Sequence, residues 1–474
     1  MPDLINLPLK DLLTLKAEDS GVISELGRRQ RERVERFDHA VRAFVHCRED
    51  AYTASHAHSR SPLSGLTVAH KDVIDVAGME TTGGVPRGRP YISATDAALV
   101  SLLHRAGMHT VGKLNLQELG FGSMEAHGDV INPHVANGWP GGSSSGSGAA
   151  VAAGFLTFAT GTDTGGSVRH PAAYCGVVGY RPTFGRLSTD GIIPLARGQD
   201  TPGIIARNTP DLELLFDAAL RMRDAVPDKR AWGELEDIRI GVPRLYFYED
   251  LHPEVQAAME SALSAFRGAG ACVVDVATPD PLVASAASWI LAYAQSADYH
   301  AKQPGFQRDD HTQAFLAKID IATQFSAHEK EVAGAIASNF REAVATLFEE
   351  VDVILVPTVR NLASSAQKVV PVAHPRFPFS PELTSLTRPF SIARTPVVSL
   401  PIGTAQDGSP IGAQVVGRRL SDRWLLALAA AMERRLGTIF RAVDPQQSKE
   451  EELGAHAGVP LPVNADVLRE ILTR

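Results

Sequence analysis

Gly141-Gly142-Ser143-Ser144-Ser145-Gly146-Ser147-Gly148 is followed closely by Thr162-Asp163-Thr164-Gly165-Gly166-Ser167-Val168-Arg169, with Ala69-His70-Lys71-Asp72 well upstream of both. Glycine leaves the backbone free to take up φ > 0 and to bring its N–H groups close to a ligand, so a Gly-Gly-Ser turn can present a hydroxyl beside several amide donors. Serine alone is a poor nucleophile. A lysine whose ammonium is destabilised by burial can supply the missing base near neutral pH. Together the three stretches read as the machinery of a serine hydrolase.

Rival readings of the glycine-rich runs fail on their surroundings. Gly142-Ser143-Ser144-Ser145-Gly146 satisfies Gly-x-Ser-x-Gly, but a nucleophile elbow needs a buried strand directly before it. Residues Asn132 to Pro140, with two prolines and two asparagines, form a loop there instead. No lysine follows the glycines as a phosphate-cradling loop requires. Gly146-Ser147-Gly148-Ala149-Ala150-Val151 misses the last position of a dinucleotide fingerprint. Nor is the run a flexible tether, because Ala149-Ala150-Val151-Ala152-Ala153-Gly154 is small, apolar and helix-competent, so the loop opens onto a buried helix.

Three further segments accompany the serine motifs in fixed order. Pro62-Leu63-Ser64-Gly65-Leu66-Thr67-Val68-Ala69-His70-Lys71-Asp72 comes first, then Gly112-Lys113-Leu114-Asn115-Leu116-Gln117-Glu118-Leu119. Gly179-Tyr180-Arg181-Pro182-Thr183-Phe184-Gly185-Arg186-Leu187-Ser188 closes the series, and Ser143 and Ser167 stand 24 residues apart. In order and spacing this region resembles the amidase signature family of serine amidases. Weaker similarity continues through Val351 to Thr358 and Gly408 to Gly417, so nearly the whole chain is covered.

The resemblance implies an α/β fold in which a large mixed β-sheet is covered by helices on both faces. It also implies a Ser-Ser-Lys triad. Ser167 would attack the carbonyl carbon and form an acyl-enzyme, while Ser143, joined to Gly142 by a cis peptide bond, would relay protons. Lys71 in its neutral form would be the base and then the general acid, which requires its pKa to fall well below about 10.4. The backbone N–H groups of Thr164, Gly165, Gly166 and Ser167 are the expected oxyanion donors. Asp163 and Arg169 flank that turn and brace it, and Ser144 supports the site. The turn Gly120-Phe121-Gly122-Ser123 is expected to wall the site, its family counterpart offering a backbone carbonyl, here that of Gly120, to the substrate nitrogen. Ser145 departs from the family's commoner Gly-Gly-Ser-Ser-Gly-Gly and leaves the substrate open.

Composition fits an ordinary soluble enzyme. The chain has 474 residues, 44% hydrophobic and 21% charged, with net charge −8. Its 46 Lys and Arg are outnumbered by 54 Asp and Glu and form no long basic block, so nucleic acid is not expected as a partner. Cys47, Cys175 and Cys272 have no paired or ligand spacing and read as apolar fillers in a reducing compartment. Met1 to Asp11 lacks a basic start and a continuous apolar core, and no apolar run is long enough to span a membrane, so the expected location is the cytoplasm. No His-x-x-x-His pair occurs, and His56 and His58 sit in a polar loop without a nearby third ligand. No metal and no cofactor are expected.

Alternating strand and helix patterns support the layered fold. Leu12 to Val45 reads as amphipathic helices, Asp96 to Gly107 as a helix, and His109 to Val111 as a short strand. Ile238 to Val242 and Cys272 to Val276 read as strands around a helix with Val255, Met259, Leu263 and Phe266 on one face. We expect one domain over 1–474. Its parts are an N-terminal helical arm (1–60), a signature core (61–225), a variable substrate-pocket region (226–380), and a C-terminal part of the sheet with closing helices (381–474). Aromatics between Ala284 and Pro381 are assigned to packing rather than to the site.

Two functions fit. The first is a free-standing amidase cleaving the C–N bond of a small-molecule carboxamide, or of a urea, carbamoyl or hydrazide analogue. Its partners would be that substrate and at most a second copy of the chain as a homodimer, with no nucleic acid and no membrane. The alternative is the glutaminase-type subunit of a tRNA-dependent amidotransferase. The first is preferred, because the stretch with an arginine and an aspartate that grips glutamine in that subunit type is not found. The nearest approach, Tyr293 to His300, has no arginine before Arg308.

Overall fold

Thr67-Val68-Ala69-His70-Lys71 is buried along its entire length, as a strand covered on both faces must be. It belongs to a computed structural model that describes residues 3–53, 61–136, 138–220, 235–364, 384–445 and 465–473. His56 and His58, the proline-rich stretch 371–381 and the boundaries at 225/226 and 380/381 lie outside the described residues.

In chain order the strands are β1 (Phe44–Cys47), β2 (Thr67–Lys71), β3 (Glu80–Thr81), β4 (Tyr91–Ile92), β5 (His109–Leu114), β6 (Phe158–Asp163) and β7 (Val178–Arg181). They continue as β8 (Thr201–Ala206), β9 (Arg239–Val242), β10 (Cys272–Asp275), β11 (Val353–Pro357), β12 (Val397–Thr404) and β13 (Pro410–Gly417). β3 and β4 pair with each other. The other 11 form one sheet, ordered β1-β5-β2-β6-β8-β7-β12-β13-β11-β9-β10. It is mixed: β5, β2 and β6 run parallel, as do β11, β9 and β10, and the remaining neighbours are antiparallel.

Alternation along the strands explains why both faces are covered. Val68, Ile204 and Ala206 join one apolar cluster, whereas their neighbours Ala69 and Ile205 join another. The helix Pro253–Arg267 turns Val255, Met259, Leu263 and Phe266 inward between the parallel strands β9 and β10, as its periodicity requires. The helix Ser145–Ala152 is buried throughout and made of small residues because nothing larger fits. A Cβ on Gly146 would lie 2.3 Å from the Ala43 carbonyl oxygen. Among the described residues no helix is long and apolar enough to cross a membrane.

Three element boundaries differ from the sequence expectation. The N-terminal helices are Leu9–Glu18 and Val22–Val41, and the chain then enters β1 instead of staying helical to Val45. Arg42 takes a left-handed conformation (φ 57°) and Asp38 Oδ1 accepts the Ala43 N–H at 2.8 Å, which ends the helix. The helix Ala98–Arg105 is shorter than the 96–107 pattern. β5 runs on past Val111 to Leu114 because β2 pairs with it as far as Lys71.

Asp422 fastens the helix Asp422–Leu436 to the sheet. Its carboxylate accepts from Tyr180 Oη, Thr183 N and Thr183 Oγ1, each at 2.8 Å. Asp422→Ala should therefore lower stability by about 3 kcal/mol, since three donors lose a buried acceptor. A fall in the urea midpoint measures this, and Asp422→Asn should recover part of it.

Candidate active site

β2 ends on Lys71 and its parallel neighbour β6 ends on Asp163, so both side chains emerge at the carboxyl ends of adjacent strands, where α/β sheets open into crevices. Lys71 is fully buried. Its Nζ donates to Ser143 Oγ at 2.7 Å and to Thr162 Oγ1 at 2.9 Å. Burial pushes its pKa down to about 7, against the opposing pull of Asp200 and Asp163. The Gly142–Ser143 peptide bond is cis. Gly120 has φ 77°, and a Cβ there would sit 3.4 Å from Ser143 Oγ and 3.9 Å from Lys71 Nζ. Glycine thus lets the backbone of this turn close over the pair.

Ser167 is partly exposed and lines a cavity together with Thr164, Gly165 and Gly120. Its carbonyl accepts the N–H of Ser144 at 3.2 Å. Among the described residues no hydrogen bond joins Ser143 to Ser167 directly. Ser144 Oγ meanwhile contacts the Thr162 backbone on β6 at 3.4 Å.

The glycine turn is oriented through its carbonyls. Thr387 Oγ1 donates to the Gly165 carbonyl at 2.5 Å, and His170 N–H donates to that of Gly166 at 2.8 Å. In a planar trans peptide the N–H points opposite to the C=O, so anchoring these two carbonyls turns the N–H groups of Gly166 and Ser167 to the other side. Thr164 Oγ1 donates to Asp200 Oδ1 at 2.6 Å, while Asp200 Oδ2 takes the N–H groups of Leu195 and Ala196 at 2.9 Å each. His170 lies buried 2.8 Å from Thr387 Oγ1, and burial pushes its pKa down to about 3, so the ring is neutral.

Asp163 sits behind the turn. Arg169 meets it with two hydrogen bonds of 2.9 Å, and Arg181 Nη1 approaches at 3.0 Å. Burial alone would raise the pKa of this carboxyl, but the two guanidinium groups hold it well below the usual carboxylate range. Arg169 also reaches Gln414 Oε1 on β13 (2.7 Å) and Ser391 Oγ (2.6 Å).

Several residues that line the cavity carry no assignment from the sequence, among them Gln117, Trp289, Lys318 and Arg388. Gln117 lies in the segment Gly112 to Leu119, and a Cβ on Gly142 would touch its side chain at 2.8 Å. Trp289 corrects the assignment of all aromatics between 284 and 381 to packing: it stacks on Phe121 and Tyr293 and also faces the cavity. Lys318 and Arg388 carry no local signal, because nothing in their neighbouring sequence marks them off from surface cations. Arg308, the first arginine after Tyr293 to His300, is exposed and paired with Asp320. The arginine that does line the cavity comes from the helix Arg388–Ile392.

Fold and residues point to chemistry on amide C–N bonds, and comparison with known proteins defines the class. A family model described as Amidase matches residues 31–426, and the chain belongs to that family. It is an enzyme of the amide-cleaving type. The A subunit of glutamyl-tRNA(Gln) amidotransferase from Exiguobacterium sibiricum is 32% identical over 473 residues, covering 90% of this chain and 97% of the relative. The crystal structure of the subunit of the same name from Thermotoga maritima superposes with a TM-score of 0.79 at 27% identity, covering 94% and 99% of the two chains. A 6-aminohexanoate cyclic dimer hydrolase superposes with a TM-score of 0.81 at 25% identity, covering 94% and 99%.

These relatives correct two expectations. Eight proteins 31–34% identical to this chain, matched over 83–97% of their own lengths, all bear the name of the glutamyl-tRNA(Gln) amidotransferase A subunit. They overturn the preference for a free-standing amidase of small-molecule amides, and with it the exclusion of nucleic acid from the partners. The charge argument failed because net charge sums the whole surface and is blind to what a multi-protein complex places beside one chain.

Removing Asp163 should be costly, since Asp163→Ala leaves two buried guanidinium groups without their counter-charge. A loss of about 3 to 5 kcal/mol is expected. Chemical denaturation compared with the wild type measures it.

Proposed function

We propose that this chain is the glutamine-hydrolysing subunit of a tRNA-dependent amidotransferase, releasing ammonia from glutamine for transfer to a glutamyl group carried on tRNA. The observation that carries this reading is the shared name of the eight relatives, matched over most of their lengths. Its partners would be other subunits and charged tRNA, in the cytoplasm.

The site residues support the chemistry. With Lys71 neutral, its lone pair accepts the Ser143 proton while an N–H still donates to Thr162 Oγ1. Substrate binding would bring Ser143 and Ser167 within hydrogen-bond reach, as catalytic contacts commonly tighten only in the complex. Ser143 then takes the Ser167 proton as Ser167 Oγ bonds to the side-chain amide carbon of glutamine. The N–H groups of Gly166 and Ser167, with those of Thr164 and Gly165 beside them, hold the oxyanion, a contribution of about 3 to 4 kcal/mol per donor in other hydrolases. Collapse breaks the C–N bond, the proton returns through Ser143 to the leaving nitrogen, and ammonia departs from a γ-glutamyl ester on Ser167. Water, deprotonated along the same line, attacks that ester and releases glutamate.

The test is ammonia release from glutamine by the purified chain, alone and with the other subunits of an amidotransferase. Ser167→Ala should reduce it on the order of 10³-fold or more, by analogy with other hydrolytic nucleophiles. A wild-type chain with no glutamine turnover in either setting would refute the reading.

The pH dependence follows from Lys71, whose pKa of about 7 means that the neutral, proton-accepting form grows as pH rises through that value. The kcat/KM should therefore climb from acid to a plateau above about 7. Lys71→Ala should abolish this profile, leaving at most a slow rate that increases with hydroxide.

A further inference from the structure

Two cationic side chains on the cavity wall take no part in the proton relay. Arg388 is 4% exposed, and its guanidinium lies 3.6 Å above the Trp289 ring. Nη1 donates to Ser288 Oγ at 3.0 Å and Nε to Thr384 Oγ1 at 3.4 Å. Nη2 rests against the glycine turn, so close that a Cβ on Gly165 would lie 2.4 Å from it. Lys318, on the helix Gln313–Ala322, is also 4% exposed and donates to the Phe121 carbonyl. Both line the cavity that Ser167 lines.

Neither cation has a carboxylate partner among the described residues, and no described acceptor takes the Arg388 Nη2 protons. Four other buried cations differ from them in this. Arg169 and Arg181 share Asp163, Arg207 has Asp211 at 2.6 Å, and Lys113 has Asp72 at 2.8 Å. A buried charge without a partner is costly, and two of like sign on one small cavity are more so. Burial, with the Arg388 charge adding to it, pushes the Lys318 pKa down to about 7. Trp289 offsets part of the Arg388 cost through its π face, while Nη2 lies against the Gly165 end of the Ser167 turn.

We propose that Arg388 and Lys318 form an anion subsite beside the Ser167 turn that receives a carboxylate on the acyl part of the substrate. The enzyme then takes amides of dicarboxylic acids, whose far end is anionic, over neutral amides. A planar carboxylate matches the fork of a stacked guanidinium, and Lys318 adds a second positive charge from another element. Among the described residues no Asp or Glu lines the cavity, so the subsite reads the carboxylate and makes no demand for a neighbouring ammonium. This inference rests on the proposed function only in that glutamine is one such amide.

The test compares kcat/KM for three probes: glutamine, glutaramate (glutamine without its amino group) and butyramide (an uncharged amide of similar length). The wild type should prefer glutaramate to butyramide by on the order of 10²-fold, as expected when a buried charged site is left unpaired by a neutral analogue. In Lys318→Met and in Arg388→Gln that ratio should collapse by at least about tenfold, through a higher KM for glutaramate. Equal use of glutaramate and butyramide by the wild type overturns the proposal, whether or not either variant folds. So does an unchanged ratio in variants that retain turnover, which would make the two cations structural. Glutaramate turnover with the expected ratio but no glutamine turnover would sink the glutaminase reading and leave the anion subsite standing. Glutamine turnover insensitive to both substitutions would do the reverse.

Discussion

The carboxylate of Asp163 is the point on which the architecture around the site depends. It is the last residue of β6, it is fully buried, and it is met by Arg169 and Arg181 together. Each arginine spends its remaining donors on a different part of the chain. Arg169 reaches Gln414 on β13 and both Thr387 and Ser391, while Arg181 reaches the carbonyls of Gln199 and Ser391. One negative charge therefore ties the middle of the sheet to a segment more than 200 residues downstream. The Gly165-Gly166-Ser167 turn is strung between these anchors, because Thr387 holds the Gly165 carbonyl and Arg388, the next residue, lies against Gly165.

The buried cations differ in what they meet. Arg169, Arg181, Arg207 and Lys113 have carboxylate partners, and their charges are matched in the folded chain. Lys71 has only hydroxyl partners, and Lys318 and Arg388 have a carbonyl, hydroxyls and aromatic faces. Burial without a counter-charge destabilises the ammonium of Lys71 and moves its pKa toward the value a base needs. The same physics underlies the anion subsite proposed at Lys318 and Arg388.

Composition is a weak guide to partners once a chain works inside a larger complex. An acidic balance argues against direct, long-range attraction to tRNA, yet it says nothing of contacts that partner subunits make. The same fold also occurs in a 6-aminohexanoate cyclic dimer hydrolase, so the architecture alone does not select the acyl group. That choice lies with the cavity wall. Here the wall is built from Trp289, Lys318 and Arg388, on three helices separate in sequence.

The local sequence determined a great deal. Glycines at 141, 142, 165 and 166 and the all-small helix after Ser144 were legible because steric limits act residue by residue, and the spacing of Lys71, Ser143 and Ser167 within matched motifs gave the family. Strands β9 and β10 were legible as short apolar runs, and the helix Pro253–Arg267 between them as a 3.6-residue periodicity. Its limits showed first at element ends: β1 begins where Arg42 turns left-handed, a conformation set by how Asp38 captures the next N–H. Only the tertiary structure decided that Thr162 shares the Lys71 amine, that Asp200 holds Thr164, and that Arg388 and Lys318 converge on the Ser167 cavity. Each of these contacts joins residues tens to hundreds of positions apart. Periodicity and spacing report only neighbours along the chain, whereas charge pairing across the sheet is fixed when the layers pack.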